Sequence, residues 1–497
     1  MEERQIYDFA KLTKELVANT IESWNEDSYG FGFLTSSSYS KEDINRIIYQ
    51  TGSTAEQLRE KIKLSTEFFN ISTTYKALNY YLASIIDYNG MVIPVPKSNE
   101  LINSKNNLKK YRRAVEFVDK NNLQELCFKF TLQTLVKGSY FGLVQPVVDD
   151  NLVIIDLPNE YCRSNFRTKT NIPVIEFNVT FFEQIANENN RKVALKSYPK
   201  FVRNYYRRYL QGKVDSPWVI IPSEMGIYFS FNNFAPTPLL LDSILPIVQY
   251  DETVNVLQKH EKDKIKTILV QKVPHLNDGT LVFQPIEAAE MHKGASQMLQ
   301  KKNPDTSVLT TYADVDAIKP TADQTQNKIL ENMNQNIFNK ARVSGQIFSP
   351  TGGQSLMVSI QNDISLVNIL VKQYNNFFSR LLTQTFGNSV FEFKYKILLV
   401  GAYNRSQFIT DSLKNAQYGY SLLMPGMADG LSQLEFENLK DLENSVLDLG
   451  KKLIPLNSSF TQSGDSASAS DSENTNEKPL EEKSEKTIQN LESIDNQ

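Results

Sequence analysis

LVKGSYFGLVQPVVDDNLVIIDLPNEYCR, residues 135–163, decides between an all-helical chain and a mixed one. Two runs rich in branched and aromatic residues flank the turn-forming triplet Asp149, Asp150 and Asn151. Gly138 and Gly142 interrupt the first run, and the second ends at Pro158 and Asn159. Short apolar runs bounded by Gly, Asp, Asn and Pro predict a β-hairpin or meander ending in a turn. Upstream, residues 105–130 carry a helical pattern that TLQTLV extends to Gly138, so a helix runs directly into a sheet.

Working towards the N-terminus, residues 1–85 read as helical. KLTKELVANTIESW (11–24) and TAEQLREKIKLSTEFFN (54–70) place apolar residues three and four apart. Ser53 or Thr54 can cap the second, with Gln57 in its first turn. YKALNYYLASIIDYNG (75–90) predicts a helix closed by Gly90, and MVIPVPK leaves it extended. Towards the C-terminus, IPVIEFNVTFFEQI (172–185) begins as strand and ends as helix. Residues 191–213 hold eight basic residues and no acidic one, with Tyr205, Tyr206 and Tyr209 among Arg203, Arg207 and Arg208. A stacking platform for nucleic acid has this composition; so does a helix packed on a sheet with its basic face in water. PWVIIPSEMGIYFSF (217–231) predicts two short strands around a turn. Residues 1 to about 235 thus read as one α+β body.

From Leu239 the text changes. LLLDSILPIVQYDETVNVLQKHEKDK (239–264) is helical, with Pro246 marking a kink or the true start. KIKTILVQKVP and SVLTTYADV predict strands in a small α/β insert. TADQTQNKILENMNQNIFNKARVS, residues 321–344, returns to helix with only a thin apolar stripe of Ile329, Leu330, Met333, Ile337 and Phe338. A helix with so little apolar surface gains little from burial and belongs in an array. The loop-like GQIFSPTGGQ (345–354) precedes a long amphipathic helix from Leu356. FEFKYKILLV is a strand, and further helices follow.

The chain has 497 residues and a net charge of −4. Residues 457–497 hold nine acidic residues and three lysines, so the rest carries about +2. A near-neutral body does not advertise a general nucleic-acid binder. The tail has Phe460 as its single aromatic and predicts disorder. Cys127 and Cys162 are the only cysteines; a disulfide framework is excluded and a reduced setting fits. MEERQIYDFAKLTKEL has no apolar core for a secretion signal, and no run of 18 apolar residues predicts a membrane span.

Catalytic vocabulary is sparse. His260, His275 and His292 lack ligand spacing, and no HExxH, CxxC or GxSxG occurs. PTGGQS has the glycines of a phosphate loop without its lysine, and Gly30 and Gly32 in YGFGFL are a weak signal. A carboxylate-only site drawn from Asp149, Asp150, Asp314 and Asp316 stays open, though turn or solvent roles suit these residues better. The reading is therefore no catalytic residues, no metal site and no cofactor.

The order of parts resembles a tailed-bacteriophage portal protein. KGSYFGLVQPVVDDNLVIIDLPNEYCR resembles the wing segment where a glycine after a helix begins a hairpin. PWVIIPSEMGIYFSFNN and the start at Leu239 resemble the wing-to-stem passage. LENMNQNIFNKARVSGQIFSP followed by VSIQNDISLVNILVKQYNNFFSRLL resembles stem, tunnel loop and wing helix. The resemblance covers roughly residues 20–455. It implies an α+β, mainly helical fold with an N-terminal α/β wing (1–236), first stem helix (237–264), clip (265–320), second stem helix (321–344) and tunnel loop (345–355). A long wing helix and strand (356–400), a helical crown-like region (401–456) and an acidic tail (457–497) complete it.

Portal proteins are rings, usually of about twelve copies, at one capsid vertex in the virion. They assemble in the host cytoplasm and pass double-stranded DNA during packaging and ejection. The implied partners are other copies of the chain, double-stranded DNA, the terminase large subunit, the major capsid and scaffolding proteins, and a head-tail connector. No membrane partner is implied. By position, the tunnel loop would be Gly345, Gln346, Ile347, Phe348, Ser349, Pro350, Thr351, Gly352, Gly353 and Gln354. Gly345 would end the stem helix, and Pro350 would prevent its continuation. Lys328, Lys340 and Arg342 are candidates for weak contacts to the DNA backbone; tight ones would act as a brake. Two rival readings stand beside this one: a structural ring or scaffold component of a virion without a channel, and a nucleic-acid-processing enzyme with a carboxylate metal site.

Overall fold

The computed structural model describes residues 39–50, 54–96, 105–145, 150–232, 236–265, 267–272, 306–311, 325–345, 354–387 and 391–449, with single positions 282 and 298. The first described helices start where side chains satisfy free backbone N–H groups. Ser40 and Asp43 form a reciprocal capping box on α1 (Lys41–Tyr49), and Thr54 and Gln57 do the same on α2 (Ala55–Ile71). Of the two residues expected to cap α2, Thr54 does so. Ser72 then both ends α2 and caps α3 (Thr73–Ala83).

α3 stops seven residues before Gly90, which instead opens strand β1 (Gly90–Pro96). The apolar pattern continues past the helix because Ile85, Ile86 and Tyr88 are buried as loop, with Tyr88 in the left-handed region at φ 55°. The long helical pattern before Gly138 divides into α4 (Lys105–Lys120) and α5 (Leu123–Lys137). At the break, Asn122 adopts φ 42° and caps the Glu125 N–H, while the Asn121 amide donates to the Phe117 and Asp150 carbonyls. Gly138 ends α5 at φ 80°; a Cβ there would lie 2.5 Å from the Pro236 carbonyl oxygen, so only glycine fits.

The opening stretch forms the antiparallel pair β2 (Ser139–Val144) and β3 (Ile154–Asp156), with Gly142 opposite Asp156. β4 (Cys162–Arg167) and β5 (Pro173–Asn178) follow, then a 3-10 turn over Val179–Gln184. Helices α6 (Glu188–Ser197) and α7 (Lys200–Leu210) lead to β6 (Trp218–Ile221) and β7 (Gly226–Ser230). β6 and β7 adjoin in sequence but do not pair: β6 completes sheet β4-β5-β6, and β7 pairs with β2 in sheet β3-β2-β7. β1 finds its antiparallel partner three hundred residues away in β10 (Phe391–Ile397), Gly90 opposite Ile397.

Helix α8 (Ile244–Ile265) starts two residues before Pro246, so the proline lies in its first turn. β8 (Thr267–Lys272) and β9 (Thr306–Thr311) pair in parallel, Thr267 opposite Thr306. α9 (Thr325–Ala341) returns and packs on α8. α10 (Gln354–Phe386) is 33 residues long. Beyond β10 come α11 (Arg405–Gln417), the short α12 (Leu423–Ala428) and α13 (Gln433–Asp441). The chain is therefore mixed α+β and mainly helical, and no described helix is long and apolar enough to cross a membrane.

The N-terminal body does not close on its own sequence. Its main core draws Ile337 and Ala341 from α9, Val367, Leu370, Tyr374 and Phe378 from α10, and Phe393 and Tyr395 from β10. Phe130 meets Tyr140 at 4.5 Å between ring centres, and Phe229 meets Tyr374 edge-on at 4.6 Å. Such pairs add about 0.5–1.5 kcal/mol each beyond their burial. The buried Tyr88 hydroxyl donates to Thr131 Oγ1, and the Tyr374 hydroxyl lies 2.9 Å from the same atom. A second core lies between sheet β4-β5-β6 and α7, built on Phe177, Phe182, Tyr198, Val202 and Tyr206. Glu437 begins a second unit, and within its described residues, 437–449, a π-helical turn runs over Leu442–Val446 and Lys440 pairs with Glu443 at 2.7 Å.

Candidate functional site

The returning helix, the loop after it and the long helix meet at one buried carboxylate. α9 ends at Ala341, and Arg342 takes the left-handed conformation at φ 56°. The Arg342 N–H donates to the Asn339 carbonyl at 3.3 Å and the Val343 N–H to the Phe338 carbonyl at 3.2 Å. This is a Schellman-type ending with arginine where glycine is usual. Ala341 and Val343 are buried, which fixes the exit direction of the chain. Gly345, expected to end this helix, has another role: a Cβ on it would come within 2.8 Å of the Phe338 ring. Its missing side chain lets the outgoing backbone lie against that ring.

Ser344, at the base of the loop, donates its N–H to Asp363 Oδ2 at 3.3 Å. The Tyr81 hydroxyl of α3 donates to the same oxygen at 3.0 Å. Asp363 lies on α10 and is 0% exposed, and its Oδ1 has no hydrogen-bond partner among the described residues. Burial pushes the Asp363 carboxyl above its usual range, while the bonds from Tyr81 and Ser344 pull it back. The Tyr81 phenol is pushed up by its own burial and by Asp363, and its ring meets Tyr403 edge-on at 6.4 Å. Asp363 thus ties Tyr81, 282 residues away, and Ser344, 19 residues away, where the loop begins. The trace of this in the sequence is a polar residue inside an apolar stripe: Asp363 lies between Ile360, Ile364 and Val367, at helical spacing.

Of the residues expected to form the loop, Gly345 and the backbone of Gln354, where α10 starts, are described. Gln346, Ile347, Phe348, Ser349, Pro350, Thr351, Gly352 and Gly353 lie outside the described residues. Lys328, Lys340 and Arg342 are exposed. They are not brought together: Lys328 and Lys340 stand about 18 Å apart along the helix and about 120° apart around it. In the thin stripe of α9, Ile337 is buried, Leu330, Met333 and Phe338 are half-buried, and Ile329 is 46% exposed.

Asp150 takes the turn role, at φ 58° with the Arg113 guanidinium bound to both carboxylate oxygens at 2.8 and 3.0 Å. Asp149, Asp314 and Asp316, the side chains of the three histidines and residues 457–497 lie outside the described residues. Among the described residues no group of three or more metal-ligating side chains gathers. Cys127 and Cys162 are both free thiols, pushed up by burial. The tyrosines interleaved with arginines turn inward: Tyr206 is buried, and the Tyr205 hydroxyl donates to the Ser216 and Trp218 carbonyls, each at 2.9 Å. No protein-family model and no curated protein matches this sequence.

Proposed function

We propose that this chain is a portal protein of a tailed bacteriophage, a ring subunit at one capsid vertex that conducts double-stranded DNA passively. The observation that carries the reading is the run α8, β8/β9 pair, α9 and, nine residues after Gly345, the start of the 33-residue α10. In it, α9 packs back on α8 beyond a small sheet, and the loop between α9 and α10 is anchored at its base by Asp363. In this reading α8 and α9 are the stem and the insert between them is the clip. Residues 345–354 form the tunnel loop, and α10 is the wing helix. The exposed Ile329 on α9 suits contact with a neighbouring copy, and the dispersed Lys328, Lys340 and Arg342 suit weak, sliding contact with phosphates. The chain does no catalysis: a terminase motor docks on the clip and supplies ATP hydrolysis, and a connector replaces it in the finished virion. Capsid and scaffolding proteins hold the ring at its vertex.

The test is the mass of the purified chain in solution, followed by particle imaging. Rings with a central hole wide enough for a DNA duplex are expected. Closed rings without such a hole would favour a non-channel scaffold, and a monomer with metal-dependent nuclease activity would replace the reading with an enzyme.

A further inference from the structure

Helix α7 carries a cationic face that the ring reading does not use. At 3.6 residues per turn, Lys200, Arg203, Asn204, Arg207, Arg208 and Gln211 fall within an arc of about 140°. All are exposed except Arg203, which is half-buried. The opposite side packs Val202 and Tyr206 into the second core. In sequence, Lys196 and Lys213 flank this helix, and Lys192 is paired with Glu188 at 2.8 Å. The carboxylates of this region are Glu183, Glu188 and Asp215, against eight cations.

Four surface cations elsewhere are paired across elements: Lys41 with Glu252, Arg113 with Asp150, Arg163 with Glu176 and Arg405 with Asp87. On α7, none of Lys200, Arg203, Arg207 and Arg208 meets a carboxylate among the described residues. The Arg203 Nε is enclosed without an acceptor among those residues. Lys200 with Arg203, and Arg203 with Arg207, are like-charge pairs at the spacings that weaken a helix. Lys200 also stands in the first turn, where the helix dipole disfavours a cation. The core contacts of Val202 and Tyr206 hold this face together without offsetting its charge.

We infer that this face binds the phosphate backbone of nucleic acid, without base preference. Lys200 to Arg208 spans about 12 Å along the helix, and one strand of a duplex presents a phosphate about every 3.4 Å. That length is enough for the four cations to reach neighbouring phosphates of one strand. Three of the four are arginine, whose fork matches phosphate oxygens, and Asn204 and Gln211 add neutral donors. The arc holds no apolar residue to anchor a peptide partner. The tyrosines that would stack bases are committed to the core and to the Ser216 and Trp218 carbonyls, which leaves backbone contact alone. The inference does not rest on the ring reading, because a monomer would carry the same face.

The test measures binding of a short mixed-sequence DNA duplex to the full chain by fluorescence anisotropy across a salt series. Changing Arg203, Arg207 and Arg208 together to alanine should weaken binding at least tenfold and reduce the salt slope by about 3, near 0.9 per lost phosphate contact. Arg207→Ala with Arg208→Ala, which leaves the half-buried Arg203 in place, should reduce it by about 2. Alanine at Lys109, Lys396 and Lys414, an equal charge change on other elements, should leave the slope unaltered. An unchanged slope in both arginine variants, an equal loss in the lysine variant, or polyglutamate displacing DNA at matched charge would each overturn the inference.

Discussion

Changing Tyr81 to Phe should loosen the base of the loop while leaving the aromatic packing in place. The substitution keeps the ring that meets Tyr403 and removes the hydroxyl that donates to Asp363. Hydrogen bonds to charged groups contribute about 1.5–3 kcal/mol. Tyr81 is only half-buried, so water recovers part of this, and about 2 kcal/mol is expected. A loss of that size multiplies local opening about 30-fold. The reporter is the Ser344 amide, which donates to the same carboxylate oxygen, and its protection factor in native-state hydrogen exchange should fall by that factor. The effect depends on pH in a defined direction. Burial raises the folded-state pKa of Asp363, so this group's contribution to stability is complete below the unfolded pKa and is lost as pH climbs through the folded one. Where the carboxylate is ionised it relies on its donors, so Tyr81→Phe costs most above the raised folded-state pKa and progressively less as Asp363 protonates. In an Asp363→Asn background the bond is neutral, and the cost should drop to about 1 kcal/mol or less. Equal loss of protection with and without the carboxylate, or no change at Ser344, would refute the anchoring role.

Other outcomes follow from the fold and the proposed function. Thr54→Ala removes one half of the α2 capping box and should cost about 1 kcal/mol, measured as a lowered thermal midpoint. Replacing Gly352 and Gly353 by a rigid pair should leave rings intact but impair DNA packaging and retention; normal packaging by a loop shown to be stiffened would remove its channel role. Deleting residues 265–320 should preserve the rest of the fold and abolish attachment of terminase and connector, checked by pull-down with each. A chain ending at Leu456 should assemble as the full chain does, with particle mass as the readout.

Local signals in this sequence were legible because they are answered locally. Thr54 and Gln57 cap each other across one turn. Gly138 takes the left-handed conformation at its own helix end, and the apolar stripe from Ile360 to Phe386 needs only its own period to specify one long helix. What was hidden depends on partners far away in the chain. The text of residues 217–231 reads as two strands around a turn, and both form, but nothing in their alternation says that β6 joins β5 while β7 joins β2. β1 looks like an extended exit from a helix because its partner β10 lies three hundred residues on. The apolar run after Ala83 reads as more helix because a pattern records burial, and Ile85, Ile86 and Tyr88 are buried as loop. At the candidate site the same limit works in the other direction. Gly345 has the composition of a helix stop, yet the chain turns at Arg342, which takes the left-handed conformation between buried Ala341 and Val343. Gly345 is small because the Phe338 ring occupies the space where its side chain would be. Asp363 is the reverse case: a residue that breaks its own helix's apolar pattern signals that something outside the helix compensates it. The compensation is the Tyr81 hydroxyl and the Ser344 amide, drawn from two other segments. A polar residue at a core position of a long helix therefore marks where other pieces of chain are held, and here they are distant α3, through Tyr81, and the nearby base of the loop, through Ser344.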